Sequence, residues 1–158
     1  MTESRDAAAV RFPPPLIALA TILLGGVLDR VWPIDLGVVL SAPIRYGIGG
    51  LVVTCALTLA SWAIVHFRRS GQNEKPWTPT TAIVGSGPYR FTRNPMYLGM
   101  VLLCVGAAIL LASEWILALT PVCALALYLF AIRPEEAYLE SKFGEGYRAY
   151  KRRVRRWL

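Results

Sequence analysis

Two arginines three residues apart, Arg90 and Arg93, lie in the stretch GPYRFTRNPMYLG, residues 87–99, just ahead of an apolar run. Asn94 and Pro95 follow them; Asn is favoured immediately before a helix and Pro at its first position. Alone, the stretch reads as the start of a membrane helix with topology charges beside it. A second polar group, RPEE at residues 133–136, supplies Glu135 and Glu136, acids that also suit a helix N-terminus. Between the two groups run apolar residues 96–112 and 115–132, separated by Ser113 and Glu114 alone. So tight a turn makes an antiparallel helical hairpin, whose two ends return to one side. Two arginines and a helix N-terminus therefore face two carboxylates across a small gap. The bases and free amides suit a ligand carboxylate or phosphate, and the acids suit an ammonium group or ribose hydroxyls. Arg93 and Glu136 are expected to take opposite ends of one zwitterion, both at the interface rather than in the core.

A ligand carrying all these groups is an amino-acid nucleoside such as S-adenosylmethionine. The chain has no GxGxxG after a strand and no Walker motif, so neither common nucleotide cradle applies. Methyl transfer from a sulfonium needs an in-line nucleophile held close and partly desolvated. A carboxylate or thiol acceptor needs no strong base, whereas an ammonium must first lose a proton.

The elements that would position these groups are helices. Of 158 residues 55% are hydrophobic, the mean hydropathy is +0.46, and the apolar residues come in blocks, which points to a membrane. The net charge is +7, with the bases in short segments between blocks. They read as topology signals and lipid-headgroup contacts, not as a nucleic-acid surface. Residues 16–28, extended through Val31 and Trp32, form a first span; residues 44–67 form a second, and the hairpin supplies two more. The N-terminus, with mixed charges, lacks a signal-peptide cleavage pattern. Cys55, Cys104 and Cys123 each sit in a different block and read as small buried hydrophobes. The single histidine, His66, ends a block and suits an interfacial role; it cannot assemble a metal site, and no metal is expected.

The loop over residues 68–93 holds Arg68, Arg69, Lys75, Arg90 and Arg93 against Glu74, and the C-terminus is also basic. The other two loops carry Asp29, Asp35 and Glu114 against Arg30. Both termini and the long, Gly- and Pro-rich loop are therefore expected in the cytoplasm, with four spans. The tail reads as two short helices, Pro134 starting the first and Gly144 breaking them. Tyr147, Tyr150, Val154, Trp157 and Leu158 share a face among basic residues, as in an amphipathic helix on an anionic membrane surface. The expected fold is an all-α integral-membrane bundle of about four transmembrane helices with a C-terminal amphipathic segment. It forms one domain, 1–158, with N-terminal spans in 1–70 and the cofactor-binding core in 71–158.

GPYRFTRNPMYLG, the hairpin, EEAYLESKFGEGY and the basic terminus together resemble the isoprenylcysteine carboxyl methyltransferase family, small integral-membrane methyltransferases related to phospholipid N-methyltransferases. The resemblance covers roughly residues 71–158. It implies a cytoplasm-facing S-adenosylmethionine pocket matching Gly87, Pro88, Tyr89, Arg90, Arg93, Asn94, Pro95, Tyr97 and Gly99. Glu135, Glu136, Tyr147 and Tyr150 complete it, with Arg93, Asn94 and Glu136 as the catalytic set. The prenylcysteine enzymes resemble RHPxYxG here, whereas this chain has Asn94 in the histidine's place, which cannot titrate near neutrality. An apolar or amphipathic acceptor bearing a carboxylate or thiol is expected ahead of a phospholipid amine, with membrane lipids as partners. Two other classes stay open: a nicotinamide-dependent sterol or enone reductase, which usually has more spans, and a non-enzymatic membrane scaffold.

Overall fold

The computed structural model describes residues 10, 12–35, 40–73 and 78–158. The N-terminal charges and Glu74 and Lys75 of the basic loop lie outside them. Helices are the only regular elements among the described residues: α1 Pro14–Val31, α2 Ala42–Arg69, α3 Pro95–Leu111, α4 Glu114–Leu127, α5 Arg133–Phe143 and α6 Glu145–Arg153. A 3-10 turn, Gly87–Arg90, precedes α3, and a π-helical turn, Tyr128–Ile132, joins α4 to α5.

Local chemistry sets the ends. Prolines occupy the first turns of α1, α2 and α3, where a missing N–H is harmless. Trp32 closes α1 by donating its N–H to the Leu28 carbonyl, and Pro33 bars continuation. The hairpin turn is as tight as its sequence implies. Ala112 adopts the left-handed conformation, and the Ser113 hydroxyl accepts from the Ile116 amide at 3.0 Å to cap α4.

Antiparallel packing brings the start of α1, the end of α2, the start of α3 and the end of α4 to one end of the bundle. The most extensive interface joins α2 to α3. Small residues recur every seventh position on both faces: Gly49, Ala56 and Ala63 are buried on α2, opposite Gly99 and Gly106 on α3. A Cβ on Gly106 would stand 2.6 Å from Val53 Cγ2 and 2.9 Å from its backbone nitrogen. Backbones this close gain dispersion contacts that do not depend on expelling water, as membrane helices require. α1 lies across α3 and α4, with Ala18, Cys104, Cys123 and Leu127 in the shared core.

The outer faces are apolar. Leu23 and Val27 of α1, Leu51 and Leu57 of α2, and Val122 and Leu125 of α4 are all more than half exposed. A surface of that kind belongs in lipid. Cys55, unlike the other two cysteines, also faces outward.

α1, α2 and the continuous helix Glu114–Phe143 are long and apolar enough to cross a membrane; α3 is apolar but shorter. Its 17 residues rise ~26 Å, slightly less than a ~30 Å hydrocarbon core. Three helices among the described residues thus meet the length requirement, where the sequence leads one to expect four spans. α2, at 28 residues, rises ~42 Å and carries His66 and Phe67 beyond the core.

Pro134 does not start a separate tail helix. α4 runs into α5 without a break, and the wider π turn lies where the proline ring would meet the carbonyl four residues back. Nor is the C-terminal apolar face turned outward, apart from Leu158, which is exposed. Tyr147, Tyr150 and Val154 pack inward on Ile83, Leu139 and Phe143, while Trp157 joins the main core. Protein surface of matching polarity is available to that face, so it folds back on the bundle.

The close α2–α3 approach makes Gly106→Leu destabilising by about 1–3 kcal/mol through overpacking. Gly50→Ala, where nothing lies within 4 Å of an added Cβ, should be neutral or slightly stabilising. Thermal unfolding in detergent micelles checks the pair; equal effects would contradict this packing.

Candidate functional site

The site is built where the polar ends of α2, α3 and the α4–α5 helix meet. The 3-10 turn is seated first. Gly87 has φ +57°, and a Cβ there would lie 2.9 Å from the His66 ring, so a side chain is excluded twice over. His66 Nε2 and Ser86 Oγ are 2.9 Å apart, which ties the turn to the end of α2. Tyr89 then lies with its ring 5.6 Å from that of Phe67, and its carbonyl accepts from the Tyr150 hydroxyl at 2.7 Å. Burial, aided by the nearby Glu135 charge, holds the Tyr89 phenol well above its ordinary range. Burial likewise raises Tyr147 and pushes Tyr150 up to about 12, so all three remain neutral donors at physiological pH.

Arg93 and Glu136 do not face each other across an open gap. Arg93 Nη2 and Nε donate to Glu136 Oε1 at 2.9 and 3.2 Å, and the two side chains are 8% and 9% exposed. The other terminal nitrogen, Nη1, donates to the carbonyls of Val154 at 2.8 Å and Lys151 at 3.1 Å. Arg156 brackets Glu136 from the far side, its Nη2 2.8 Å from Oε2 and its Nε 3.2 Å from Oε1. Its guanidinium also lies 4.9 Å from the centre of the Tyr128 ring, in the π turn. The hydrogen bond to Glu136 raises Arg156 above its ordinary value. The expectation that Arg93 and Glu136 lie at the interface rather than in the core is therefore corrected. They are buried, and they hold each other.

Asn94 occupies the position before α3, but its side chain makes no cap. Its Nδ2 donates 3.0 Å to the Arg156 carbonyl, while its own amide is taken by Thr92 Oγ1 at 3.2 Å. Thr92 Oγ1 also donates to the Arg156 carbonyl, and the Arg93 amide to that of Arg155. The extended chain after α6 thus lies alongside residues 92–94.

Glu135 is separate from this network. It is half-buried, and Oε2 accepts from the Tyr97 hydroxyl at 2.8 Å. Two narrow adjoining clefts share Phe67, Thr80, Tyr89, Arg93, Asn94 and Glu135. Pro95, Met96 and Tyr97, the first turn of α3, line one of them; Glu136, Tyr147 and Tyr150 line the other. The loop over them is tied down by Gln72, whose side-chain amide pairs with the Thr81 amide and hydroxyl. Tyr138 Oη accepts from the Thr80 amide at 3.2 Å.

Most of the residues singled out from the sequence converge here. Gly87 and Pro88 support the clefts without lining them. Arg90 is exposed, its guanidinium 5.5 Å from the Phe91 ring, and Gly99 packs against Ala56 and Ala60 in the α2–α3 interface. Phe67, Thr80 and Arg156 escaped the sequence reading. Phe67 is legible only as the point where α2 outlasts the membrane core. Arg156 reads as one base among many until the fold sets it against Glu136.

No solved structure matches the chain. A protein of Haemophilus influenzae described as uncharacterized is 41% identical over 63 residues, which is 40% of this chain and all of that protein. The sequence matches the phospholipid methyltransferase family over residues 44–146, from the first turn of α2 to the start of α6. That stretch holds Arg93, both glutamates and all of the cleft lining but Tyr147 and Tyr150, and the match makes this chain a member of the phospholipid methyltransferase family, a membrane methyltransferase.

Proposed function

We propose that the protein transfers a methyl group from S-adenosylmethionine to a lipophilic acceptor, at a site facing the cytoplasm. One observation carries the reading: Glu135, a half-buried carboxylate with a neutral hydrogen-bond partner, shares a cleft with aromatic rings and the first turn of α3. These residues fit the cofactor by chemistry. Glu135 would hold the ammonium group, and the first amides of α3, which have no intrahelical acceptor, would hold the carboxylate. Phe67 and Tyr89 offer faces to the sulfonium or the adenine. When bound, S-adenosylmethionine supplies an electrophilic methyl group.

Glu136 is committed to two arginines, so among the described residues lining the clefts Glu135 is the carboxylate left to accept a proton. An acceptor that is already ionised or easily ionised needs no such help, which favours a carboxylate or thiol on an apolar chain. A phospholipid amine is the second reading. It is favoured by the family and by Glu135 itself, a carboxylate kept apart from the arginines, where it can receive an ammonium proton.

The cytoplasmic orientation, with α3 as a fourth, short span, rests on Arg68, Arg69 and Arg90 clustering at the site end, opposite Asp29 and Glu114. A reporter fused after Leu158 should score as cytoplasmic, and one placed in the α3–α4 turn as extracytoplasmic; the reverse pattern would remove the site from its cofactor.

Calorimetry on detergent-purified protein should show S-adenosylhomocysteine binding and no heat from NADPH. Glu135→Gln should weaken that binding about 10- to 150-fold, the range for losing a charge-assisted contact. Unchanged affinity would remove Glu135 from the cofactor site. Labelled S-adenosylmethionine offered with prenylated cysteine analogues, alkyl thiols and phosphatidylethanolamine in parallel identifies the acceptor. Transfer to the first two supports the leading reading, and preferential labelling of phosphatidylethanolamine replaces it with the second.

A further inference from the structure

The family match ends at residue 146, yet the network around Arg93 and Glu136 is completed by residues beyond it. Residues 92–94 donate to four carbonyls of this segment, those of Lys151, Val154, Arg155 and Arg156. Arg156 also sends its side chain back to the helix bundle, where it meets Glu136 at 2.8 Å. We infer that Arg156 is a positioning residue, fixing Glu136 and through it Arg93, so that the C-terminal segment forms a built wall of the methyl-transfer site.

The geometry requires a second cation. Arg93 sends both Nε and Nη2 to Glu136 Oε1 and none to Oε2, while its Nη1 is spent on the tail carbonyls. Oε2 accepts its short hydrogen bond from Arg156. Without Arg156 one oxygen of a buried carboxylate loses that partner, and Glu136 is free to rotate about its remaining contact. Arg93 then keeps its tail carbonyls but loses the fixed partner that orients its Nε and Nη2 edge at the shared wall of both clefts. Lysine, a single point charge, cannot reproduce a fork that spans both carboxylate oxygens.

This inference rests on the proposed cofactor site, and the experiment separates the two. S-adenosylhomocysteine affinity is measured by calorimetry for the full chain, Arg156→Gln, Glu136→Gln, the double variant and Arg156→Lys, with melting temperatures recorded alongside. Arg156→Gln should weaken binding about tenfold or more, and Arg156→Lys should recover part of the loss. Because Arg156 acts through Glu136, the double variant should bind no more than about twofold worse than Glu136→Gln. Additive losses would overturn the inference, as would a lowered melting temperature with undiminished affinity. If the unaltered protein binds no S-adenosylhomocysteine, the cofactor reading fails by itself. Hydrogen exchange at the Arg93 amide then decides positioning: faster exchange in Arg156→Gln than in the parent supports it, and equal exchange overturns it.

Discussion

The arrangement of the site depends on one buried carboxylate. Glu136 sits where the helices leave the apolar core, and removing a carboxylate from water costs several kcal/mol even after relaxation. Two guanidiniums offset that cost, one from the start of α3 and one from the end of the chain. Neither is free to move: Arg93 is anchored to tail carbonyls, and Arg156 is held between Glu136 and the Tyr128 ring. Loss of one partner from such a cluster typically costs about 3–5 kcal/mol. The ion cluster therefore acts as a joint that fixes α3, α5 and the C-terminal segment relative to one another. The neighbouring Glu135 is left with a neutral partner beside the clefts.

The joint works only because the apolar part of the molecule delivers its pieces to one place. The small residues that let α2 and α3 approach closely set the axial register of the two helices, and with it the level at which Phe67 meets Tyr89. The surplus length of α2 and of Glu114–Phe143 raises the polar ends clear of the hydrocarbon core. Aqueous and lipid-facing surfaces then meet at one end of the bundle. That geometry suits a reaction whose two substrates arrive from different phases.

Much of this is legible in the sequence because it is written in periodicity and punctuation. The apolar blocks, the two-residue turn at Ser113 and the Asn94–Pro95 step each have a local physical cause, and each appears in the fold within a residue or two. The convergence of Arg93 with Glu136 also follows, since a tight hairpin has little choice. What was hidden is the nature of that convergence. Charges of opposite sign across a gap look the same in sequence whether a ligand separates them or they bond directly. Tail carbonyls carry no side-chain signal, so the attachment of Arg93 and Asn94 to them could not be read. The basic tail looked suited to lipid because its amphipathic pattern does not say which apolar surface it will cover; Ile83 and Leu139 supply one within the protein. Pro134, which ordinarily marks a helix start, is absorbed by a wider turn that no local rule would place there.

The central claim, that the paired clefts beside Glu135 hold the methyl donor, is tested most directly by ultraviolet cross-linking of labelled S-adenosylmethionine to the purified full chain, followed by peptide mapping. The account predicts label, displaced by excess S-adenosylhomocysteine, on the peptides carrying Phe67, Tyr89, Tyr97 or Tyr147. Label confined to the lipid-facing side of α1 and α4 or to the α3–α4 turn, or no label that S-adenosylhomocysteine displaces, would contradict it.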